Sequence, residues 1–260
     1  MREHMAAERP KPKTPVRTAR RTFRVVEALK TLDGATITEI ADHLDMAKSS
    51  THNYLRTLEH DGYVVERDGR YHVGLRLLDL GAFARSRRDI YCVAKPEIDA
   101  VAAETGELAN LLVEEHGRGT VLYRQRGENA VNVDSYLGQT MHLHTTALGK
   151  AVLAHLPRER VEAIIDRHGL PPKTENTITD PDELFAELDS IREVGHAVDR
   201  EERIRGLVCV AVPIRGDGDV QGAISVSGPA SRLRDEGGRE AVVERLHNAV
   251  NIIELNQTYS

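Results

Sequence analysis

The fold of the N-terminal part is decided by Thr36–His60, TITEIADHLDMAKSSTHNYLRTLEH. Thr36-Ile37-Thr38-Glu39 is a capping box: the Thr36 hydroxyl serves a free amide of the first turn and Glu39 reaches back. Ile37, Ile40, Ala41 and Leu44 then recur at helical spacing and predict a short amphipathic helix. A tight break at Asp45-Met46 precedes a second helix over Ala47–His60, with Thr51, Leu55 and Leu58 facing inward and Gly62 as its stop. Upstream, Val25, Val26, Leu29 and Leu32 give a helix over Arg20–Leu32 that ends at Asp33-Gly34. Downstream, Tyr63–Glu66 and Arg70–Val73 are short β-like runs around Asp68-Gly69, a strong hairpin signal. Helix, capped helix, turn, helix and hairpin, in that order, spell a winged helix-turn-helix.

Such a module suits double-stranded DNA, because the helix after the turn fits the major groove. Its outward positions carry Lys48, Ser49, Ser50, His52, Asn53 and Arg56. Asn53 is the candidate for a bidentate adenine contact, and Lys48, Ser49 and Ser50 are candidate phosphate binders. Arg67 and Arg70 on the hairpin are placed to touch backbone or minor groove, and Arg17, Arg20 and Arg21 add salt-sensitive attraction. Charge divides accordingly. Residues 1–90 hold 17 Lys and Arg against 13 Asp and Glu, and residues 91–260 hold 18 against 28, within a net charge of −6. A solvated tail explains the charge alone, and helix-turn-helix shapes also serve protein contacts. The hairpin, the basic arm and the charge split together favour DNA.

With 260 residues, 40% hydrophobic and 29% charged, the chain has enough sequence for more than one core and is neither collagen-like nor wholly disordered. No apolar run approaches the roughly 18–20 residues that span a bilayer, and no secretory signal opens the chain, so no membrane and a cytoplasmic location are expected. Cys92 and Cys209 make no disulfide framework and no C-x-x-C pair suggests zinc. Arginine outnumbers lysine 28 to 7, which with the acidic body hints at a salt-tolerant source. Leu75–Tyr91 has a helical pattern and is read as a connecting helix. Beyond it the chain alternates: a helix over Glu97–Thr105, strands near Leu108–Glu114, Thr120–Gln125 and Ala130–Tyr136, then helices over Thr146–His155, Arg158–His168 and Pro181–Val194. Strands over Leu207–Ile214 and Val220–Ser227 lead into a C-terminal helix over Asp235–Leu255. That order predicts an α/β sandwich with an antiparallel sheet. There is no internal repeat. The expected domains are a basic arm over 1–18, a winged helix-turn-helix over 19–74, a linker helix over 75–92 and an α/β domain over 93–260.

Over essentially its whole length from Arg21, the chain resembles IclR-type transcriptional regulators. The similarity rests on Thr38-Glu39-Ile40-Ala41, Lys48-Ser49-Ser50, Leu55-x-Thr57-Leu58 and Gly62-Tyr63-Val64, then Gly69-Arg70-Tyr71-x-Val73-Gly74 and Leu80-Gly81. Downstream it rests on His144-Thr-Thr-Ala147-Leu148-Gly149-Lys150-Ala151, Asp199-Arg-Glu201, Gly206-Leu207-Val208-Cys209-Val-Ala211-x-Pro213 and Ser225-Val-Ser227-Gly228-Pro229. The resemblance implies a winged helix joined to a GAF-like effector-binding domain, and self-association as a dimer or a dimer of dimers. It also implies control of a catabolic operon, for sugars or organic acids, by a small and commonly anionic metabolite. It places the effector on Ala147, Leu148, Asp199, Cys209, Ser225 and Ser227. One departure matters: many relatives carry Arg where Asn53 stands, so base preference does not transfer.

The residues are consistent with that pocket. Thr146 is a candidate N-cap, so amides of Ala147 and Leu148 could hold an oxyanion. Ser225 and Ser227 lie two apart on a strand and share a face, which is either a ligand surface or plain solvent. Asp199 could accept from a ligand hydroxyl or orient Arg203. Cys209, among Val208, Val210 and Ala211, reads as a small buried hydrophobe or as a reactive thiol. His142 and His144 share a predicted strand face, which raises metal binding, but two histidines without a third ligand are a weak site and no metal or cofactor is expected. A thiol enzyme using Cys209 with His142 or His144 stands as a contrast, without any G-x-S-x-G, P-loop or G-x-G-x-x-G to support it. A redox or metal sensor on the same DNA-binding frame is the other alternative. A regulator, not an enzyme, is expected.

Overall fold

The computed structural model describes residues 16–133, 135–216, 218–233 and 236–258, so the arm expected over 1–18 lies outside the described residues except at 16–18. The chain divides into two compact units, 1–83 and 84–260.

The first unit begins with α1 (Arg17–Thr31), α2 (Ile37–Leu44) and α3 (Lys48–His60), followed by the hairpin β1 (Val64–Arg67) and β2 (Arg70–Val73). Helix α1 starts three residues before its expected beginning, so Arg17 belongs to a helix and not to an arm. Val16 takes the extended N-cap conformation there, and the Arg20 amide donates to its carbonyl at 3.2 Å. The capping box of α2 forms as read: Glu39 N–H donates to Thr36 Oγ1 at 3.3 Å and Thr36 N–H to Glu39 Oε2 at 2.7 Å. The turn to α3 is made by Asp45 in the left-handed region (φ 51°), which Asp tolerates better than most residues. Asp68 and Gly69 are both at positive φ, the two-residue turn whose twist matches antiparallel strands. Val25, Leu29, Ile40, Leu55, Leu58, Val64 and Tyr71 close one small core beneath them.

The boundary between the units falls within α4 (Arg76–Ser86). The single connecting helix expected over Leu75–Tyr91 is instead two helices, α4 and α5 (Asp89–Thr105). Arg88 adopts extended geometry as the N-cap of α5 and its guanidinium donates to Glu115 at 2.7 Å, while three arginines crowd positions 85–88. Helix α5 runs through Pro96, because Ile90, Ala94, Ile98, Val101 and Ala102 bury a stripe that outweighs the hydrogen bond proline forfeits.

The second unit continues with β3 (Leu108–Glu115), β4 (Arg118–Arg126), β5 (Thr140–Met141), α6 (Ala147–Leu153), α7 (Arg158–His168) and α8 (Pro181–Val194). It ends with β6 (Ala197–Arg200), β7 (Leu207–Gly216), β8 (Asp219–Pro229), α9 (Ala230–Leu233) and α10 (Glu236–Thr258). Among the described residues the strands form one antiparallel sheet in the order β5-β4-β3-β8-β7-β6. Leu111, Val113, Val210, Val212 and Ile224 point to one face and pack on α5 and α10 through Ile98, Val101, Leu246 and Ile253. Leu112, Ala211 and Ala223 point to the other, against α6, α7 and α8.

Three local expectations are corrected. Residues 130–133 and 135–136 form no strand, and the edge position is taken by β5. Strand β6 carries no sequence signal and joins the elements expected above, because it is short, sits at the sheet edge beside β7 and holds Asp and Arg within four residues. His142 and His144 share no strand face, since they flank Leu143 at a 3₁₀ turn over Leu143–Thr145. The α10 start expected at Asp235 lies outside the described residues.

Gly149 marks the tightest packing: a Cβ there would stand 2.1 Å from the Leu143 carbonyl oxygen. Gly149→Ala should therefore lower the thermal midpoint of the second unit. Thr36→Ala should cost the first unit about 1 kcal/mol through the lost cap, and Thr36→Ser should restore it, both read by denaturant unfolding.

Candidate functional site

The first unit presents the outer face of α3. Lys48, Ser49, His52, Asn53 and Arg56 are exposed and Ser50 is half-buried, because Thr51, Leu55 and Leu58 hold the opposite face in the core. Arg17, Arg20 and Arg21 are exposed on α1, and Arg67 on β1. Arg70 on β2 is exposed as well, and it is also engaged within the unit. Its guanidinium pairs with Glu39 at 3.2 Å and donates to the Gly34 carbonyl at 2.9 Å, so it braces the hairpin against the capping box. Glu39 is held below the usual carboxylate range by the Thr36 amide first, and by Arg70 among lesser causes.

The second unit contains a cavity of about 460 Å³, counting its open mouth, on the α6 side of the sheet. All six residues expected to bind an effector line it: Ala147 and Leu148 from α6, Asp199 from β6, Cys209 from β7, and Ser225 and Ser227 from β8. Strand register explains the convergence. Asp199 faces Cys209, Cys209 faces Ser227 and Ser227 faces Leu108 in one row across four strands. The next row carries Ala211, Ser225 and Asn110. Asn110, Ser135 and Arg203 also line the cavity and were not among the expected binding residues. The signal for Asn110 was a polar side chain inside the apolar run Leu108–Val113. Ser135 had none, because it lies in irregular chain. Thr146 Oγ1 caps α6 by accepting from Gly149 N–H at 3.0 Å. With only seven residues, α6 has a short dipole, so Ala147 and Leu148 act first as cavity walls.

The floor is polar and mostly satisfied. Asp199 is 1% exposed and accepts from the Glu202 amide at 2.7 Å. Its pKa is pushed up to about 7 by burial first and by the Glu202 charge second, against the pull of that amide and of Lys150. Burial, and then Asp199, push the Cys209 thiol well above its ordinary value. A thiolate is therefore scarce at neutral pH, the opposite of a reactive cysteine. Ser225 is 1% exposed, and among the described residues its hydroxyl has no partner, as is true of Ser135 Oγ. Lys150 anchors the wall from behind: 0% exposed, it donates to Glu202 Oε1 at 2.7 Å, Glu187 Oε1 at 2.8 Å and the Val198 carbonyl at 2.9 Å.

His142, His144 and His168 line a second, smaller cavity. The structure thus puts Cys209 and its imagined histidine partners on different cavities. Each of the three rings has a polar partner: His142 with Arg118 at 2.7 Å, His144 with the Pro171 carbonyl at 3.2 Å and His168 with the His116 carbonyl at 2.9 Å. Burial and then Arg118 depress His142 to about 4. Among the described residues no group of three His, Cys, Asp or Glu is arranged to hold a metal, and no helix is long and apolar enough to cross a membrane.

The family model for the IclR helix-turn-helix domain matches residues 18–68, and that for the bacterial transcriptional regulator IclR C-terminal domain matches residues 82–255. The chain is 35% identical over 236 residues to the "Probable HTH-type transcriptional regulator ArcR" of Halobacterium salinarum, covering 89% of this chain and 90% of that one. It is 31% identical over 220 residues to the HTH-type transcriptional repressor AllR of Escherichia coli K12, covering 83% and 81%. Among solved structures, IclR of Thermotoga maritima matches with a TM-score of 0.75 at 31% identity, over 92% of this chain and 98% of that one. An IclR homolog from Microbacterium hydrocarbonoxydans complexed with 4-hydroxybenzoate matches with a TM-score of 0.80 at 26% identity, over 92% and 98%. A helix-turn-helix unit followed by an α/β unit with a polar cavity is a DNA-binding regulator that carries a ligand-binding domain. The chain belongs to the IclR family of transcriptional regulators. Its relatives are regulators and not enzymes.

Lys150→Ala leaves Glu202 and Glu187 without their cation, and should cost the second unit about 3–5 kcal/mol, measured by urea unfolding. Asp199 holds its proton in the folded state up to about pH 7, whereas an ordinary Asp loses it near 3.8. The folded state binds the extra proton in that window, so stability should fall as pH rises from about 4 to 7. Asp199→Asn should flatten that slope in pH-dependent urea melts.

Proposed function

We propose that the chain binds a double-stranded operator through α3, and that a small organic metabolite in the α6-side cavity changes operator affinity or geometry. The observation that carries this reading is the cavity itself. Side chains from α6, β6, β7 and β8 converge on it, and among the described residues the buried Ser225 hydroxyl there has no partner, which a ligand would supply. The relatives point the same way: AllR is named a repressor, and the Microbacterium homolog holds 4-hydroxybenzoate. The protein works in the cytoplasm beside its operator and governs a sugar or organic-acid catabolic operon. The exposed Phe23, Leu75, Leu78 and Phe83 on the first unit support self-association as a dimer or a dimer of dimers. Effector binding reaches the recognition helices through α4 and the break at Arg87-Arg88, by favouring one of two dimer states over the other.

On α3, Asn53 reads a base edge and Lys48, Ser49 and Ser50 hold phosphates; His52 and Arg56 extend that surface, with Arg67, Arg17, Arg20 and Arg21 on its flanks. Fluorescence anisotropy on duplexes from the protein's own upstream region, against shuffled duplexes across a salt series, tests this. Specific binding should survive moderate salt. Asn53→Ala should weaken the specific complex about tenfold and leave the shuffled duplex unchanged. Lys48→Ala should weaken both and lower the salt slope by about one. Equal, weak binding to both duplexes would sink the operator reading. A Gly-Ser insertion between Arg87 and Arg88 should uncouple effector from DNA affinity.

A further inference from the structure

The polar row on the cavity floor continues one strand past the wall. Asn110 lines the cavity and is the register partner of Ser225 on one side and of Arg124 on the other. Directly opposed residues of an antiparallel pair share a face with Cβ atoms about 5 Å apart, so Arg124 emerges beside Asn110 on the cavity side of the sheet. Arg124 is half-buried, and no carboxylate of the described residues pairs with it. Burial, and then Arg126, lower its pKa, as happens to a cation that lacks an anion. Arg126 itself is committed to the Ala130 carbonyl and Asn132 Oδ1, both at 3.0 Å, and these precede the Val133 and Ser135 that line the cavity.

The opposite end carries Asp199, Cys209 and Ser227, already described. A ligand held only there would leave the Ser225 hydroxyl unmet and Arg124 without a counter-charge among the described residues. Ser225 and Ser227 are two residues apart, about 6–7 Å along the strand, a span that a short aliphatic diacid bridges. We infer that Arg124, Asn110 and Ser225 form a second, anion-reading pole of the cavity, and that the ligand is a small dicarboxylic or keto-dicarboxylic acid. The inference rests on the cavity being the effector site. It makes Arg124 a specificity-determining residue: the guanidinium takes one carboxylate in a charge-assisted pair, with the Asn110 amide and the Ser225 hydroxyl beside it.

The test uses the purified full chain at fixed pH and matched ionic strength, reading the thermal midpoint during titration. The probes are three pairs of equal chain length: succinate with butyrate, adipate with hexanoate, and 2-oxoglutarate with 2-oxopentanoate. At least one diacid should bind about tenfold or more tighter than its monoacid. Arg124→Gln should remove that advantage, bringing each diacid to the affinity of its monoacid, while Arg124→Lys should keep most of it; the ligand-free midpoint of each variant reports its fold. Monoacids binding as tightly as diacids, or Arg124→Gln binding the diacid like the unaltered protein, overturns the second pole. If monoacid binding is then lost in Cys209→Phe, which fills the other end, the cavity stands as the effector site and only the second pole falls. If neither set binds, the effector reading of the cavity falls and takes the second pole with it.

Discussion

The second unit depends on one buried cation. Lys150 reaches from α6 to Glu202, Glu187 and the Val198 carbonyl, so a single ammonium ties together a helix of the cavity roof, the edge strand β6 and the outer helix α8. All three of its donors are used, which is what makes a fully buried lysine tolerable. Because α6 is only seven residues long, its own hydrogen bonds could not hold it in place. The Thr146 cap, the close approach of Gly149 to Leu143 and the Lys150 cluster do so instead.

That arrangement sets the chemistry available in the cavity. Three carboxylates stand near one lysine, and burial leaves Asp199 holding a proton around neutral pH. The neighbouring thiol is kept neutral by the same burial. A floor of neutral donors and acceptors recognises a ligand well and activates one poorly, which agrees with a regulator's domain more than with an enzyme's.

Much of the first unit was legible because its signals are local. A capping box, an Asp at the helix turn and Asp-Gly in a hairpin each specify backbone geometry within a few residues. Arg70 was not: its ion pair with Glu39 joins positions far apart in sequence, and only the closing of the hairpin onto α2 brings them together. In the second unit the long apolar strands and helices were legible by period. The short edges β5 and β6 were not, since two to four residues carry no period, and the edge of a sheet needs no apolar alternation.

The six effector residues rest on a resemblance carried by separated motifs, and residue chemistry alone leaves open whether Ser225 and Ser227 face solvent. Strand alternation in the sequence put those two on one face. Which face, and what else shares it, depended on the pairing of β8 with β3 and β7, a contact between distant segments. So the sequence by itself determined the helix-turn-helix, the strand and helix content and the identity of the motifs, because those are properties of neighbouring residues. Only the tertiary structure decided that Asn110 and Ser135 join the cavity, that Asp199 is buried enough to hold its proton, and that Lys150 is the anchor, because burial and register are set by residues far apart in the chain.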